Sequence, residues 1–150
     1  MAIVWTKDLA IGVDQIDEQH RELFRRFDDL QEACARWQGR EQVGALLVFL
    51  EEYVHFHFQA EEELMARYDY PELEEHRAMH AGFRRHQQAI KEEFQNEEAT
   101  GALLARTNKM LLAWIIDHIQ QVDVRIGIFI RRKIQGGDSG RQTRSLELEG

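Results

Sequence analysis

Residues 43–65 read VGALLVFLEEYVHFHFQAEEELM, and their spacing sets how the rest of the chain is read. Val43, Leu46, Leu47, Leu50, Val54, His57, Glu61, Leu64 and Met65 recur at steps of three and four, which puts them on one stripe of a helix. The stripe is apolar except where it carries a histidine and a glutamate four residues apart. Working outward, three more segments repeat the pattern. Toward the N-terminus, Ile16, His20, Leu23, Phe24, Phe27 and Leu30 share a face, with Asp14 or Asp17 as the candidate N-cap and an end near Gly39. Beyond the break at Asp69-Tyr70-Pro71 come His76, Met79, His80, Phe83, Gln87, Ile90 and Phe94. After a polar stretch at 96–101 follow Leu103, Leu104, Thr107, Met110, Leu111, Trp114, Ile115 and His118. Helices of roughly 20 residues joined by short breaks become antiparallel neighbours. The pattern therefore predicts an all-α, up-down-up-down four-helix bundle over residues 1–133, entered by a loop that Trp5, Ile11 and Val13 pin to the body. A flexible polar tail is expected over 134–150, opening at Gly136-Gly137-Asp138-Ser139-Gly140.

The bulk composition bounds the function classes. A chain of 150 residues, 43% hydrophobic and 31% charged, suits one water-soluble helical domain. Of the formal net charge of −8, residues 131–150 contribute five basic against three acidic side chains, so the body is more acidic still. An acidic body repels phosphate, which argues against nucleic-acid binding. No apolar run approaches the roughly 18 residues that a membrane span needs, and no signal peptide is evident. The lone Cys34 has no disulfide partner within the chain and fits a reducing cytosol, so a cytoplasmic location is expected.

The histidines carry the chemical signal. His20, His57, His76, His80 and His118 fall on the apolar stripes of all four helices, and Glu61 joins them. Pairs at i and i+4, such as His57 with Glu61 and His76 with His80, project from the same side of a helix and reach a common point. One inward histidine is usually a core residue with a hydrogen-bond partner. Five imidazoles and a carboxylate facing one core, however, carry several kcal/mol of desolvation cost unless something pairs them. A metal site satisfies them together. Imidazole and carboxylate suit iron, zinc, copper or nickel, and five histidines exceed what one tetrahedral zinc uses, whereas a carboxylate-bridged two-metal site takes them all. Asp123 fits less simply. Five residues after His118, it lies about 140° round an ideal helix, so it joins the site only through a widened, π-like turn or a helix end. His55 and His86 lie off the stripes and are expected at the surface. A ferritin-like oxidase is the structural rival, but its Glu-x-x-His signature occurs only at Glu52 and His55, pointing off the stripe.

The order His20, His57-x-x-x-Glu61, His76-x-x-x-His80, His118-x-x-x-x-Asp123 resembles the hemerythrins, and in detail their single-domain bacterial members. Gly12-Val13-Asp14-Gln15-Ile16-Asp17-Glu18-Gln19-His20, His57-Phe58-Gln59-Ala60-Glu61-Glu62, Tyr70-Pro71 and Trp114 add to the resemblance, which spans about residues 3–130. It implies two iron ions with an oxo or hydroxo bridge: one held by His76, His80 and His118, the other by His20 and His57 with an open position, and Glu61 and Asp123 bridging both. It also implies reversible dioxygen binding for transport, storage or delivery rather than catalysis. Sensing of oxygen, redox state or nitric oxide, and peroxidase-like or nitric-oxide-reducing work, are the alternatives that the same ligands serve. Phe24 and Ile119 are expected to wall the dioxygen pocket. A protein acceptor or self-association through the 126–150 region is left open.

Overall fold

A computed structural model describes residues 5–136. Helix α1 spans Asp14–Arg36, α2 Arg40–Arg67, α3 Leu73–Gln95 and α4 Gly101–His118; a π-helical segment, Ile119–Asp123, leads into α5, Val124–Gly136. Each of the four long helices packs on its two neighbours in a ring, α1 and α3 both lying against α2 and α4. The chain is thus an all-α four-helix bundle with its core on the predicted stripes. Val43, Leu50, Val54, Phe58 and Met65 of α2 meet Leu23, Phe27 and Leu30 of α1 in one buried cluster. No helix among the described residues is long and apolar enough to cross a membrane.

Local chemistry places the boundaries. Trp37, in the left-handed region at φ 45°, ends α1. Thr100 caps α4 by accepting from the Leu103 amide at 3.1 Å. At the start of α1 the expectation was off. Val13 is the N-cap and neither aspartate caps the helix. The buried Asp17 instead accepts from the Ile11 and Gly12 amides at 2.8 and 3.3 Å, because from inside the first turn its carboxylate reaches back to the approaching loop. Three apolar residues assigned to core stripes also face solvent: Met110 is 67% exposed, Met79 and Leu103 more than a third. Each sits at the edge of its stripe, where a step of three or four still counts as in phase but the helix has already turned outward.

The helix continues to Gly136, three residues past the predicted domain end, and the rest of the expected tail lies outside the described residues. Two of the three basic residues at its end are structural rather than merely solvated. Arg131 Nη1 donates to Ile11 O at 2.9 Å, and Lys133 Nζ donates to Tyr68 O at 2.5 Å. Helix α5 thereby ties down both the entry loop and the α2–α3 turn. Gly127 makes that closeness possible, since a Cβ there would stand 1.8 Å from Ile11 O.

Candidate metal centre

Seven side chains from four helices and the π-helical segment converge in the core. His20 comes from α1, His57 and Glu61 from α2, His76 and His80 from α3, His118 from the last residue of α4, and Asp123 from the end of the π-helical segment. All seven are buried. Their ligand atoms form two groups: Glu61, His76, His80, His118 and Asp123 in one, His20, His57, Glu61 and Asp123 in the other, each set lying within 4.8 Å. The π-helical segment absorbs one extra residue and so turns Asp123 inward, as the five-residue spacing requires. His55 and His86 are exposed, as expected. Phe24, one turn from His20, and Ile119, next to His118, are both buried.

The two carboxylates divide their oxygens between the groups. Glu61 Oε1 lies 2.8 Å from His76 Nε2 and 3.1 Å from His80 Nε2, while its Oε2 lies 3.5 Å from His57 Nε2 and 3.8 Å from His20 Nε2. Asp123 Oδ1 is 3.1 Å from both His76 and His118 Nε2, and its Oδ2 is 3.3 Å from His20 Nε2. Each carboxylate therefore presents one oxygen to the three-histidine group and the other to the two-histidine group.

Hydrogen bonding leaves this set unfinished. His20 Nε2, Glu61 Oε2 and Asp123 Oδ1 are buried without a hydrogen-bond partner, although other members of the cluster stand close by. His76 and His118 bring their Nε2 atoms within 3.1 Å of each other. Buried polar atoms that crowd together without pairing cost free energy unless a cation lies among them. The donor set of imidazole nitrogen and carboxylate oxygen fits iron.

In the metal-free chain, charge is balanced by protons. Burial opposes protonation of His20 and His76, but the carboxylates of Asp123 and Glu61 close beside them outweigh it and raise each to about 9. Burial also opposes ionisation of Glu61, yet the bonded histidines hold it well below the usual carboxylate range. Burial and the neighbouring Glu61 oppose ionisation of Asp123, and His118 and His20 reverse the balance, so it too is held low. His57 goes the other way, pushed down by burial to about 3. Two anions thus face two cationic imidazoles, one in each group. These are the positions where divalent cations would replace protons.

Aromatic rings and two polar side chains hold the histidines in place. Phe58 stacks on His80 at 3.7 Å with the rings 1° from parallel, and Trp114 stacks on His118 at 4.6 Å and 14°. Gln19 Oε1 lies 2.7 Å from His57 Nδ1, and Glu62 Oε2 lies 2.7 Å from His80 Nδ1. Neither polar residue was singled out from the sequence. Gln19 was findable, because it falls in phase with Ile16 and Leu23 on the buried face of α1, where a polar residue needs a partner.

Fold and cluster define a class: a four-helix bundle built around a histidine–carboxylate cluster able to hold metal. The model for the Hemerythrin HHE cation binding domain matches residues 11–126. A bacteriohemerythrin of Stenotrophomonas maltophilia is 34% identical over 147 residues, covering 93% of this chain and 94% of that protein. A myohemerythrin of Theromyzon tessulatum is 26% identical, covering 81% and 88%. Among solved structures, that of a wild-type hemerythrin superposes with a TM-score of 0.76 at 26% identity, over 85% of this chain and 96% of the other. The chain belongs to the hemerythrin family.

Proposed function

We propose that the chain binds two iron ions and through them takes up and releases dioxygen. His76, His80 and His118 would hold one iron, His20 and His57 the other, with Glu61 and Asp123 spanning both. The observation that carries this reading is the division of the two carboxylates, each with one oxygen toward the three-histidine group and the other toward the two-histidine group. A single ion would leave the second group unsatisfied. The domain that does this work spans residues 1–133 on this reading, with α5 holding the entry loop and the α2–α3 turn.

When bound, such an iron pair supplies the two electrons that dioxygen takes up and gives back on release. The protein's part is to hold the ligands and keep water out. Gln19 and Glu62 accept from the outer nitrogens of His57 and His80, which turns the inner nitrogens toward the metal positions. Buried Leu23, Phe24, Leu50, Phe58, Leu64, Leu111, Ile115 and Ile119 supply an apolar wall that limits proton access. Phe24, one turn from His20, and Ile119, next to His118, are the proposed pocket walls. Glu62, the carboxylate beside the ligand set, is engaged by His80 and Arg77 rather than left free as a general base, which favours a carrier over an enzyme.

Metal analysis of the purified protein is expected to find two irons per chain; one zinc would overturn the reading. Reduced, iron-loaded protein exposed to air should gain visible absorption that disappears under argon over repeated cycles. Irreversible oxidation on first exposure would refute reversible binding and point to an enzyme or a sensor.

A further inference from the structure

Each inward-facing imidazole has a second ring nitrogen, and what that nitrogen bonds to governs how strongly the ring donates to a metal. Behind His80, Nδ1 lies 2.7 Å from Glu62 Oε2, and the other oxygen of Glu62 is 3.6 Å from Arg77 Nε. Behind His57, Nδ1 lies 2.7 Å from Gln19 Oε1. Both bonds have the imidazole N–H as donor, because a carboxylate or amide oxygen only accepts. The outer nitrogens of His20 and His76 have no partner. One ring in each group is thus supported from behind, by an anion in the three-histidine group and by a neutral amide in the two-histidine group. A carboxylate acceptor draws the imidazole proton toward itself and leaves the inner nitrogen richer in electrons. The group that has this support also has one nitrogen more.

Resting on the two-metal reading above, we infer that the two metal positions are unequal: the group of His76, His80 and His118 takes a divalent cation first and more tightly, and Glu62 and Gln19 are the positioning residues that set the gap. Neither residue touches the metal positions. Glu62 acts through His80 and is itself oriented by Arg77 from α3. Gln19 acts through His57 from the neighbouring helix α1.

The test uses the full-length metal-free protein titrated with cobalt(II) under argon, followed by calorimetry and by visible absorption. The wild-type chain is expected to bind two cobalt(II) ions in two resolved steps. Glu62→Gln keeps the shape and an acceptor oxygen but removes the charge, and should weaken the tighter step by about 10–100-fold while leaving the looser step in place. Gln19→Glu should tighten the looser step and draw the two together. With one equivalent of cobalt(II), Glu62→Gln should shift the exchangeable imidazole proton signal that the metal displaces in the proton NMR spectrum, and Gln19→Glu should not. A merely structural role for either side chain would move neither that signal nor one step selectively. Two cobalt(II) ions bound in steps indifferent to both substitutions, or weakened equally by them, would overturn the inequality while leaving the two-metal reading intact. Fewer than two ions bound by the wild-type chain would overturn both. Circular dichroism of each variant checks that the bundle is retained, and since the two substitutions act in opposite directions, loss of fold in one leaves the other decisive.

Discussion

Replacing Gly127 by alanine sets two opposing effects against each other. On an ordinary helix, alanine in place of glycine gains about 1 kcal/mol. Here the added Cβ would fall 1.8 Å from Ile11 O and 2.9 Å from its carbonyl carbon, where real contacts do not close below 3.0 Å. Backbone cannot swing aside as a flexible side chain can, so the entry loop must retreat by roughly 1 Å. Retreat breaks the 2.9 Å bond from Arg131 Nη1 to Ile11 O, a loss of about 1 kcal/mol. It also lifts Ile11 and Val13, now 2% and 1% exposed, and half-uncovering both forfeits about 2 kcal/mol of burial. The loss outweighs the gain, and the net expectation is a destabilisation of about 2 kcal/mol. Urea unfolding of the metal-free protein, followed by far-ultraviolet circular dichroism, should show the midpoint falling by roughly 1 M. Gly82→Ala in α3 is the control. Its Cβ would meet only the far end of the Arg85 side chain at 3.6 Å, so that variant should be neutral or slightly more stable. A Gly127→Ala midpoint equal to or above wild type would refute the claim that Gly127 and Arg131 clamp the loop.

Three other outcomes are expected. Iron loading should raise the unfolding midpoint, adding about 2.7 kcal/mol of stability per site at a hundredfold excess over the dissociation constant, and a chelator should reverse it; an unchanged midpoint with metal bound would mean that the ligands are not part of the folded core. Phe58→Ala removes a fully buried ring stacked on His80 and should cost about 3–5 kcal/mol in chemical unfolding, a loss below 1 kcal/mol being inconsistent with the packing. Burial pushes the Cys34 thiol up from its usual 9.0 to about 11, so the thiolate is scarcer in the folded chain at every pH below that value. At pH 8 a thiol reagent should therefore modify the native protein at least about 100-fold more slowly than the urea-unfolded chain, and equal rates would show that Cys34 is not buried. The same shift makes stability fall as pH rises above 9, where only the unfolded thiol ionises.

The bundle was legible because three- and four-residue spacing is a direct record of helical faces, and the short breaks leave no room for crossovers. The six residues from His20 to His118 were legible for the same reason: polar groups on apolar stripes must be paired. Asp123 could be read only with the likeness to a family, since ideal geometry turns it about 140° away. Glu62 was hidden because it follows Glu61 and appears solvent-facing until α3 is in place beside it. Asp17 was misread because capping is judged from sequence position, whereas its actual partners are the amides of the loop before it. Met79 and Met110 show the opposite error, in which an apolar residue in rough phase is taken for core.

The π-helical segment at Ile119–Asp123 also bears on how such a site could be inherited or rebuilt. Asp123 is placed by the length of the helix rather than by the choice of side chain. Loss of one codon between His118 and Asp123 would turn the π-helical segment into plain α-helix and carry the aspartate at four residues, about 40° from the histidine's direction, with everything after it close to its present place. The carboxylate would survive such an event, and Gly127 and Arg131, four and eight residues further on the same helix, would keep step with the loop they secure. A designer transplanting these ligands onto straight helices should accordingly write the aspartate one position earlier and keep the latch at the same distance behind it.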